Sequence, residues 1–304
     1  MINGQHKDRL FCFIFGREEN RAWTLSLYNA VQGTSYTDAE DIEITTMGDV
    51  VYMGMKNDVS FLLQWRMSIW EHQASVNLNM PVRELMYAGK LYDKYIHQKG
   101  LNIYGSKRLT LPVPKLVVFY NGTAEQEDEV ILQLSDSFPQ ELAGESDINV
   151  RVRMLNVNSG RNKQLMAACK VLAEYAWLVE KIRELSRQMI IDEAVDQALD
   201  EMPLDYEIRE FLLNNRVEVR GMCLTEYNEE EVMEMFRREA REEGIAKGRE
   251  EGIEKGREEG REEGATLLGR LIKQLLAAGR TDDVNRACDD EKTRAQLYKE
   301  FGLA

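Results

Sequence analysis

The order of apolar and polar positions up to residue 158 predicts a succession of helices and strands. Helical spacing favours a first helix over residues 8–32, which Gly16 and the polar run 17–21 can interrupt and Gly33 ends. A second helix is predicted over residues 81–99, with apolar positions at Val82, Leu85, Met86, Leu91, Tyr92 and Tyr95. Runs of β-type residues predict strands at Ile42–Thr45, Val50–Met53, Asp58–Leu63, Ser68–Gln73, Leu116–Tyr120 and Val150–Met154.

The pattern becomes helical from about residue 160, where apolar residues recur at three- and four-residue steps. Glycine then stands at every fourth position from Gly244 to Gly264, among Arg, Lys and Glu. Because each glycine costs a helix about 1 kcal/mol relative to alanine, we expect a solvated and only partly helical connector there. The whole chain is therefore predicted to divide into four segments: an α/β core over 1–158, an acidic helical region over 159–240, a Glu/Gly/Arg-rich connector over 241–264 and a small helical unit over 265–304.

Charge is concentrated in the middle of the chain. The 304 residues carry 39 basic and 53 acidic side chains, a formal net charge of −14. A chain this acidic is not, as a whole, an electrostatic binder of nucleic acid. Residues 125–240 hold 13 basic and 26 acidic side chains, whereas residues 1–124 hold 13 and 12. The first segment can therefore face a polyanion, and one hypothesis is that the acidic region folds over it and imitates DNA phosphate.

Sequence features also indicate the compartment. The polar residues 1–9 lack the apolar centre of a signal peptide, and no apolar run approaches the roughly 20 residues that span a bilayer. The four cysteines are far apart, and three histidines cannot complete a zinc set. We therefore expect a cytoplasmic protein with reduced thiols, no membrane association and no organic cofactor.

Two carboxylates are predicted to meet across a hairpin. If Gln64 and Trp65 form its turn, facing residues have numbers that sum to 129, so that Asp58 faces Glu71. Side chains alternate along a strand, and Gln73 then shares a face with Glu71. Two carboxylates this close repel each other unless something neutralises them, and a hard divalent cation would do so. The simpler alternative is two exposed acids on a solvated sheet face.

Several short motifs follow one another in order along most of the chain. They are Lys7–Phe11 (KDRLF), Lys56–Leu62 (KNDVSFL), Glu71–Gln73 (EHQ), Asn77–Arg83 (NLNMPVR), Leu111–Pro114 (LPVP), Val117–Gly122 (VVFYNG) and the Glu-Glu-Gly repeats. Together they resemble the Rpn family of recombination-promoting nucleases and putative transposases, within the PD-(D/E)XK nuclease superfamily. The resemblance weakens after about residue 265.

The resemblance implies a restriction-endonuclease-like core in the order helix, three strands, helix, strand (αβββαβ), followed by a mostly helical C-terminal half. It implies a Mg²⁺-dependent DNA endonuclease, a hydrolase in which Mn²⁺ can substitute, and a role in DNA recombination or transposition-like processing. Asp58 and Glu71 would bind the metal. Gln73 stands where the superfamily has lysine, and because an amide carries no charge and cannot act as a base, it would only hydrogen-bond a water or a phosphate oxygen. DNA is the expected partner, and cleavage of both strands would favour a homo-oligomer.

Three further residues have competing interpretations. Asp8 is either another acid of the site or an acid that stabilises a helix start. Arg83, in the first turn of the second predicted helix, either binds phosphate or is solvated. His72 alternates to the face opposite Glu71 and is expected to be a packing residue. For the whole chain, the alternative to an enzyme is a catalytically weak or inactive nuclease-fold protein that acts in DNA binding or protein assembly.

Overall fold

The computed structural model describes residues 10–46 and 58–303, except for the side chains of 228–240 and of several positions between 242 and 262. It shows a mixed α/β fold with a six-stranded sheet. Short 3₁₀ turns lie at Glu18–Asn20, Ala39–Asp41, Leu134–Ser137 and Ala143–Glu145. The strands are β1 (Ile42–Ile44), β2 (Val59–Leu63), β3 (Arg66–Gln73), β4 (Val113–Tyr120), β5 (Glu129–Gln133) and β6 (Arg151–Asn156). The helices are α1 (Leu10–Phe15), α2 (Arg21–Gln32), α3 (Met80–Gln98), α4 (Lys163–Ala168), α5 (Lys170–Leu185), α6 (Ile191–Asp200), α7 (Arg209–Asn214), α8 (Arg216–Ala277), α9 (Thr281–Asp289) and α10 (Glu291–Glu300).

The sheet has the spatial order β1-β2-β3-β4-β6-β5. Its first three strands pair antiparallel, β3 pairs parallel with β4 and β4 parallel with β6, and β5 closes the far edge antiparallel to β6. The parallel β3–β4 pair needs a crossover, and α3 supplies it. The order helix, three strands, helix, strand that the sequence pattern predicts is present in the described residues, together with β5, which the pattern did not predict.

The two faces of the sheet bury different helices. On one face, Trp70 and Phe119 pack with α1, α2 and α5 in the largest apolar cluster. On the other face, Met67 and Ile69 of β3 pack with Tyr87 of α3. Because side chains alternate along a strand, Glu71 and Gln73 lie on the α3 face and His72 on the opposite face.

Several predicted boundaries are resolved by the structure. The first predicted helix is broken, as the pattern allowed, and Gly16 lies at the break with its backbone N–H bonded to the carbonyl of Cys12. The predicted strand Val50–Met53 lies outside the described residues.

All four cysteines are free thiols, as expected. None of the described helices is long and apolar enough to cross a membrane.

The chain divides into two compact units, residues 1–230 and residues 231–304. In the first, residues of α5, α6 and α7 share the largest apolar cluster with the sheet. In the second, the core consists of Leu271, Leu275, Ala287 and Leu297. Helix α8 includes all of residues 241–264, where the glycines predicted only partial helix.

Candidate active site

The β2–β3 hairpin brings the predicted carboxylates together. Its strands pair Val59 with Trp70 and Leu63 with Arg66, which is the register that the sequence predicted. Gln64 makes the turn possible by adopting a φ of 54°, in the left-handed region. Asp58, one residue before β2, therefore lies opposite Glu71 of β3.

Asp58 and Glu71 are connected by backbone hydrogen bonds. The N–H of Asp58 donates to Oε1 of Glu71 (3.1 Å), and the N–H of His72 donates to Oδ2 of Asp58 (2.7 Å). Hydrogen bonds to a carboxylate favour its charged form. The hairpin backbone therefore stabilises both negative charges where they face each other.

Arg83 forms an ion pair with Glu71. Its Nη2 donates to Oε2 of Glu71 (2.8 Å) and to the hydroxyl of Tyr87 (3.0 Å). The Glu71 side chain is 5% exposed and the Arg83 side chain 38% exposed. Burial alone lowers the pKa of Arg83, but the charge of Glu71 and the hydrogen bond with Tyr87 reverse this, so its net pKa is raised. Arg83 is thus a paired residue in the structure, and part of its side chain is exposed to solvent.

Helix α3 presents Arg83 to the sheet because of how it begins. It starts at Met80 with Pro81 in its first turn, a position where the missing N–H costs nothing. Arg83 and Tyr87 are four residues apart and so lie on one helix face. The predicted apolar positions of this helix are partly wrong: Val82, Leu85 and Met86 are exposed, and the residues that face the sheet are Met80, Glu84, Tyr87, Ala88 and Leu91.

Gln73 lies two residues beyond Glu71 on the same sheet face. Its side chain is buried, with Nε2 at 4.0 Å from the sulfur of Met154. Its backbone carbonyl accepts a hydrogen bond from the N–H of Asn121 (3.1 Å), which ties the end of β3 to the end of β4. Gln73 is therefore held in the site by its neighbours on two strands.

Glu84 is an acid that sequence reasoning missed. It is fully buried on the sheet-facing side of α3, and neither carboxylate oxygen has a hydrogen-bond partner in the described part of the chain. Burial and then the charge of Glu71 raise its pKa well above the usual value for a glutamate. In the sequence, Glu84 stands four residues after Met80 and three before Tyr87. It therefore shares a helix face with them, and this is the face that the structure buries.

His72 packs into the opposite face, as predicted. Its ring stacks on Phe11 at a centroid distance of 5.0 Å, and its Nε2 is hydrogen-bonded to the hydroxyl of Tyr175 (2.7 Å). The amide Nδ2 of Asn121 donates to the same hydroxyl (3.0 Å). Burial raises the pKa of Tyr175 well above its usual value, so this hydroxyl keeps its proton.

The oxygen donors of the site suit a hard cation. Asp58, Glu71 and Gln73 offer two carboxylates and an amide oxygen, and Mg²⁺ typically takes one or two protein carboxylates and keeps several waters. Within residues 10–46 and 58–303, no three His, Cys, Asp or Glu side chains are grouped as metal ligands. Asp8, the further candidate acid, lies outside the described residues. A cation here would therefore be held by the facing pair and by water.

Comparison with known proteins identifies no relative of this chain: no protein-family model, no curated protein and no solved structure matches it.

Proposed function

We propose that this chain is a metal-dependent DNA endonuclease with a PD-(D/E)XK-like core, the activity that its resemblance to the Rpn family implies. One observation carries the proposal: Asp58 and Glu71 face each other across the hairpin, with Arg83 beside them. Paired carboxylates next to a partly exposed arginine suit a phosphodiester substrate, because the acids can hold a cation and the guanidinium can hold a phosphate oxygen. The order of helices and strands supports the same core.

Each residue has a distinct role in this proposal. Asp58 and Glu71 hold Mg²⁺, or Mn²⁺ in its place, and the bound ion would polarise a phosphoryl oxygen and make a water more acidic. Gln73 orients a water or a phosphate oxygen by hydrogen bonding, since its amide cannot take a proton. Arg83 exchanges part of its contact with Glu71 for a phosphate of the DNA strand. The exposed fraction of its side chain gives the substrate a way to reach it.

The proposal is tested by cleavage of supercoiled plasmid DNA in EDTA, Mg²⁺ and Mn²⁺. Wild-type protein is compared with Asp58→Asn and Glu71→Gln, which remove one charge each and keep an oxygen acceptor for the backbone N–H groups. Metal-dependent nicking or linearisation that both variants lose supports the assignment. Glu43→Gln is the matched control, because Glu43 lies on β1 of the same sheet and is exposed.

Two results would contradict the assignment of the site or the validity of the assay. Cleavage that persists in Asp58→Asn and Glu71→Gln would show that the activity belongs to another site or to a contaminant. Loss of cleavage in Glu43→Gln as well would show that the assay reports general damage to the sheet. A calorimetric titration with Mg²⁺ or Mn²⁺ checks binding separately, with a signal that Asp58→Asn is expected to lose.

A second function is favoured by the contacts that Glu71 makes within the protein. Both oxygens of Glu71 are engaged within the protein, one by the backbone of Asp58 and one by Arg83, and Gln73 replaces the lysine of the nuclease pattern. In this arrangement the guanidinium of Arg83 supplies positive charge to Glu71 without a metal ion. It fits a nuclease-fold protein that acts in DNA binding or assembly, for which no metal signal and no cleavage are expected.

A further inference from the structure

Strand β5 forms one edge of the six-stranded sheet. It stands last in the order β1-β2-β3-β4-β6-β5, and among the described strands it pairs with β6 alone. The pairing is one-to-one from Glu129 opposite Leu155 to Gln133 opposite Arg151, so that the strand contains no bulge. One side of its backbone therefore faces away from the sheet.

The register shows which backbone groups of β5 face outward. The N–H of Leu134 donates to the carbonyl of Val150 (2.9 Å), which makes these two residues a hydrogen-bonded pair. Hydrogen-bonded and non-bonded pairs alternate along an antiparallel ladder. The backbone groups that point away from β6 therefore belong to Glu129, Ile131 and Gln133. Among the described residues, no hydrogen bond outside the β5–β6 ladder involves these groups.

The outward-facing residues of β5 do not protect this edge. All three are exposed, and the side chain of Ile131 is 45% exposed. The single charge of the strand, on Glu129, is paired within the chain, because Nε and Nη2 of Arg153 donate to its carboxylate (2.8 and 3.0 Å). Native sheets often block an edge with a lysine, a proline or a bulge. Strand β5 has none of these and is therefore open to pairing with another strand.

The sequence of β5 is complementary to itself in one antiparallel register. With a two-fold axis at Ile131, this residue faces its own copy, and Glu129 faces Gln133 of the second copy. Each outward N–H then meets an outward carbonyl, as a hydrogen-bonded pair requires. Val130 faces Leu132 of the second copy, and no two like charges stand opposite each other, a placement that would weaken the pairing.

We propose that β5 pairs antiparallel with β5 of a second copy of this chain, in a two-fold dimer centred on Ile131. The contact is isologous, so that one patch serves both copies and the assembly closes at two. A strand of another protein would find the same open backbone, but the match of charges and apolar residues favours a second copy. The inference does not depend on the proposed nuclease function.

The contact is small, and this sets the expected strength of the dimer. Stable interfaces bury at least roughly 1,200 Å² in total, and a pair of five-residue strands is short by comparison. We therefore expect a reversible dimer with a dissociation constant in the micromolar range. Sedimentation velocity of the full chain over micromolar concentrations measures it, and the dimer fraction should rise with concentration.

Two variants of Ile131 connect this association to the strand edge. Ile131→Pro removes an outward N–H and leaves the bonds to β6 in place, which is the position where a strand accepts proline. Ile131→Lys places like charges opposite each other at the two-fold axis and keeps the test decisive if the proline variant does not fold. Each should raise the dissociation constant at least about tenfold. Leu204→Lys is the control, because Leu204 is 86% exposed outside the sheet, and it should dimerise like wild type.

A disulfide test measures the register directly. The background is Cys288→Ser, which removes the exposed native thiol. Ile131→Cys should give a disulfide-linked dimer on mild oxidation, since the Cα atoms of a hydrogen-bonded pair lie about 5.5 Å apart, within disulfide range. Glu129→Cys is the matched control on the same strand: its thiol would lie roughly 13 Å from its own copy and should not link.

The proposal is overturned by a chain that stays monomeric at every concentration, by an unchanged dissociation constant in both folded Ile131 variants, or by equal linking of Glu129→Cys and Ile131→Cys. Circular dichroism confirms the fold of each variant. Because no metal, DNA or cleavage enters these measurements, their failure leaves the nuclease proposal standing, and failure of the nuclease proposal leaves the dimer standing.

Discussion

Arg83 and Glu71 form an ion pair with very unequal burial: their Nη2 and Oε2 atoms are 2.8 Å apart, yet the glutamate is 5% exposed and the arginine 38%. The buried carboxylate therefore depends on a cation that solvent can reach. Such a pair is sensitive to loss of its exposed partner, because the charge that remains is the one that has lost its water.

Substitution Arg83→Ala is expected to lower the free energy of unfolding by about 1–3 kcal/mol, because it removes a positive charge that pairs with the buried carboxylate of Glu71. Urea unfolding measures this. Arg21→Ala is the control, since Arg21 pairs with the exposed carboxylates of Glu18 and Glu40, and such pairs contribute about 0–1 kcal/mol each. In the double variant with Glu71→Gln, the loss should be smaller than the sum of the single losses. Equal losses for Arg83→Ala and Arg21→Ala would contradict the buried-charge argument.

Glu84 is expected to make stability fall as pH rises. Burial, and then the charge of Glu71, raise its native pKa, so the native state keeps a proton that the unfolded chain releases near pH 4.3. Above that pH the unfolded state binds fewer protons than the native state, and the slope of unfolding free energy against pH is negative until the native pKa is passed. Asp58 adds to the shift, and Arg83 opposes it.

The measurement is the urea midpoint of wild type and Glu84→Gln between pH 4.5 and 8. The stability difference, variant minus wild type, should grow with pH because the amide cannot ionise. Glu43→Gln, at an exposed position of β1, should show no such growth. A constant difference for Glu84→Gln across this range would mean that Glu84 ionises at its ordinary pH in the native protein.

The hairpin register could be predicted from sequence because two constraints act together. A two-residue turn at Gln64 and Trp65 fixes which residues face each other, and apolar alternation fixes the face. The same reasoning placed His72 away from Glu71. Both results depend on neighbours within about 15 residues, where local geometry is decisive.

Features that depend on tertiary packing were not predicted. Helix α3 carries apolar residues on more than one side, so its period did not show which side is buried, and Glu84 appeared to be an ordinary helix glutamate. Strand β5 is an edge strand in which only Leu132 is buried. Its centre is the apolar run Val130, Ile131 and Leu132, so the sequence carried a short strand signal that was missed. The contact of Tyr175 with His72 joins residues 103 positions apart and has no local signature.

Gly122 is expected to tolerate no side chain. A Cβ atom there would lie 1.8 Å from the carbonyl oxygen of Ala74 and 2.7 Å from the ring of Tyr120. Because the nearest atom belongs to the backbone, Gly122→Ala should cost at least about 2 kcal/mol of unfolding free energy. Gly89→Ala is the matched control: a Cβ at Gly89, inside α3, meets nothing within 4 Å, and the change should stabilise by up to about 1 kcal/mol. Equal effects of the two changes on the urea midpoint would refute the steric argument.

Helix α8 is continuous through residues 241–264, although the glycines there disfavour helix. A Cβ at Gly256 or Gly260 would meet nothing within 4 Å. Alanine at both positions should therefore raise helix content and delay its loss on heating, at about 1 kcal/mol per site. The far-UV circular dichroism signal of the full chain measures this. Gly279→Ala should have the opposite effect, since Gly279 ends the helix region with a φ of 71° that suits glycine. Unchanged or lower helicity in the double variant would show that these glycines serve a close contact, and that residues 241–264 are more than a solvated connector.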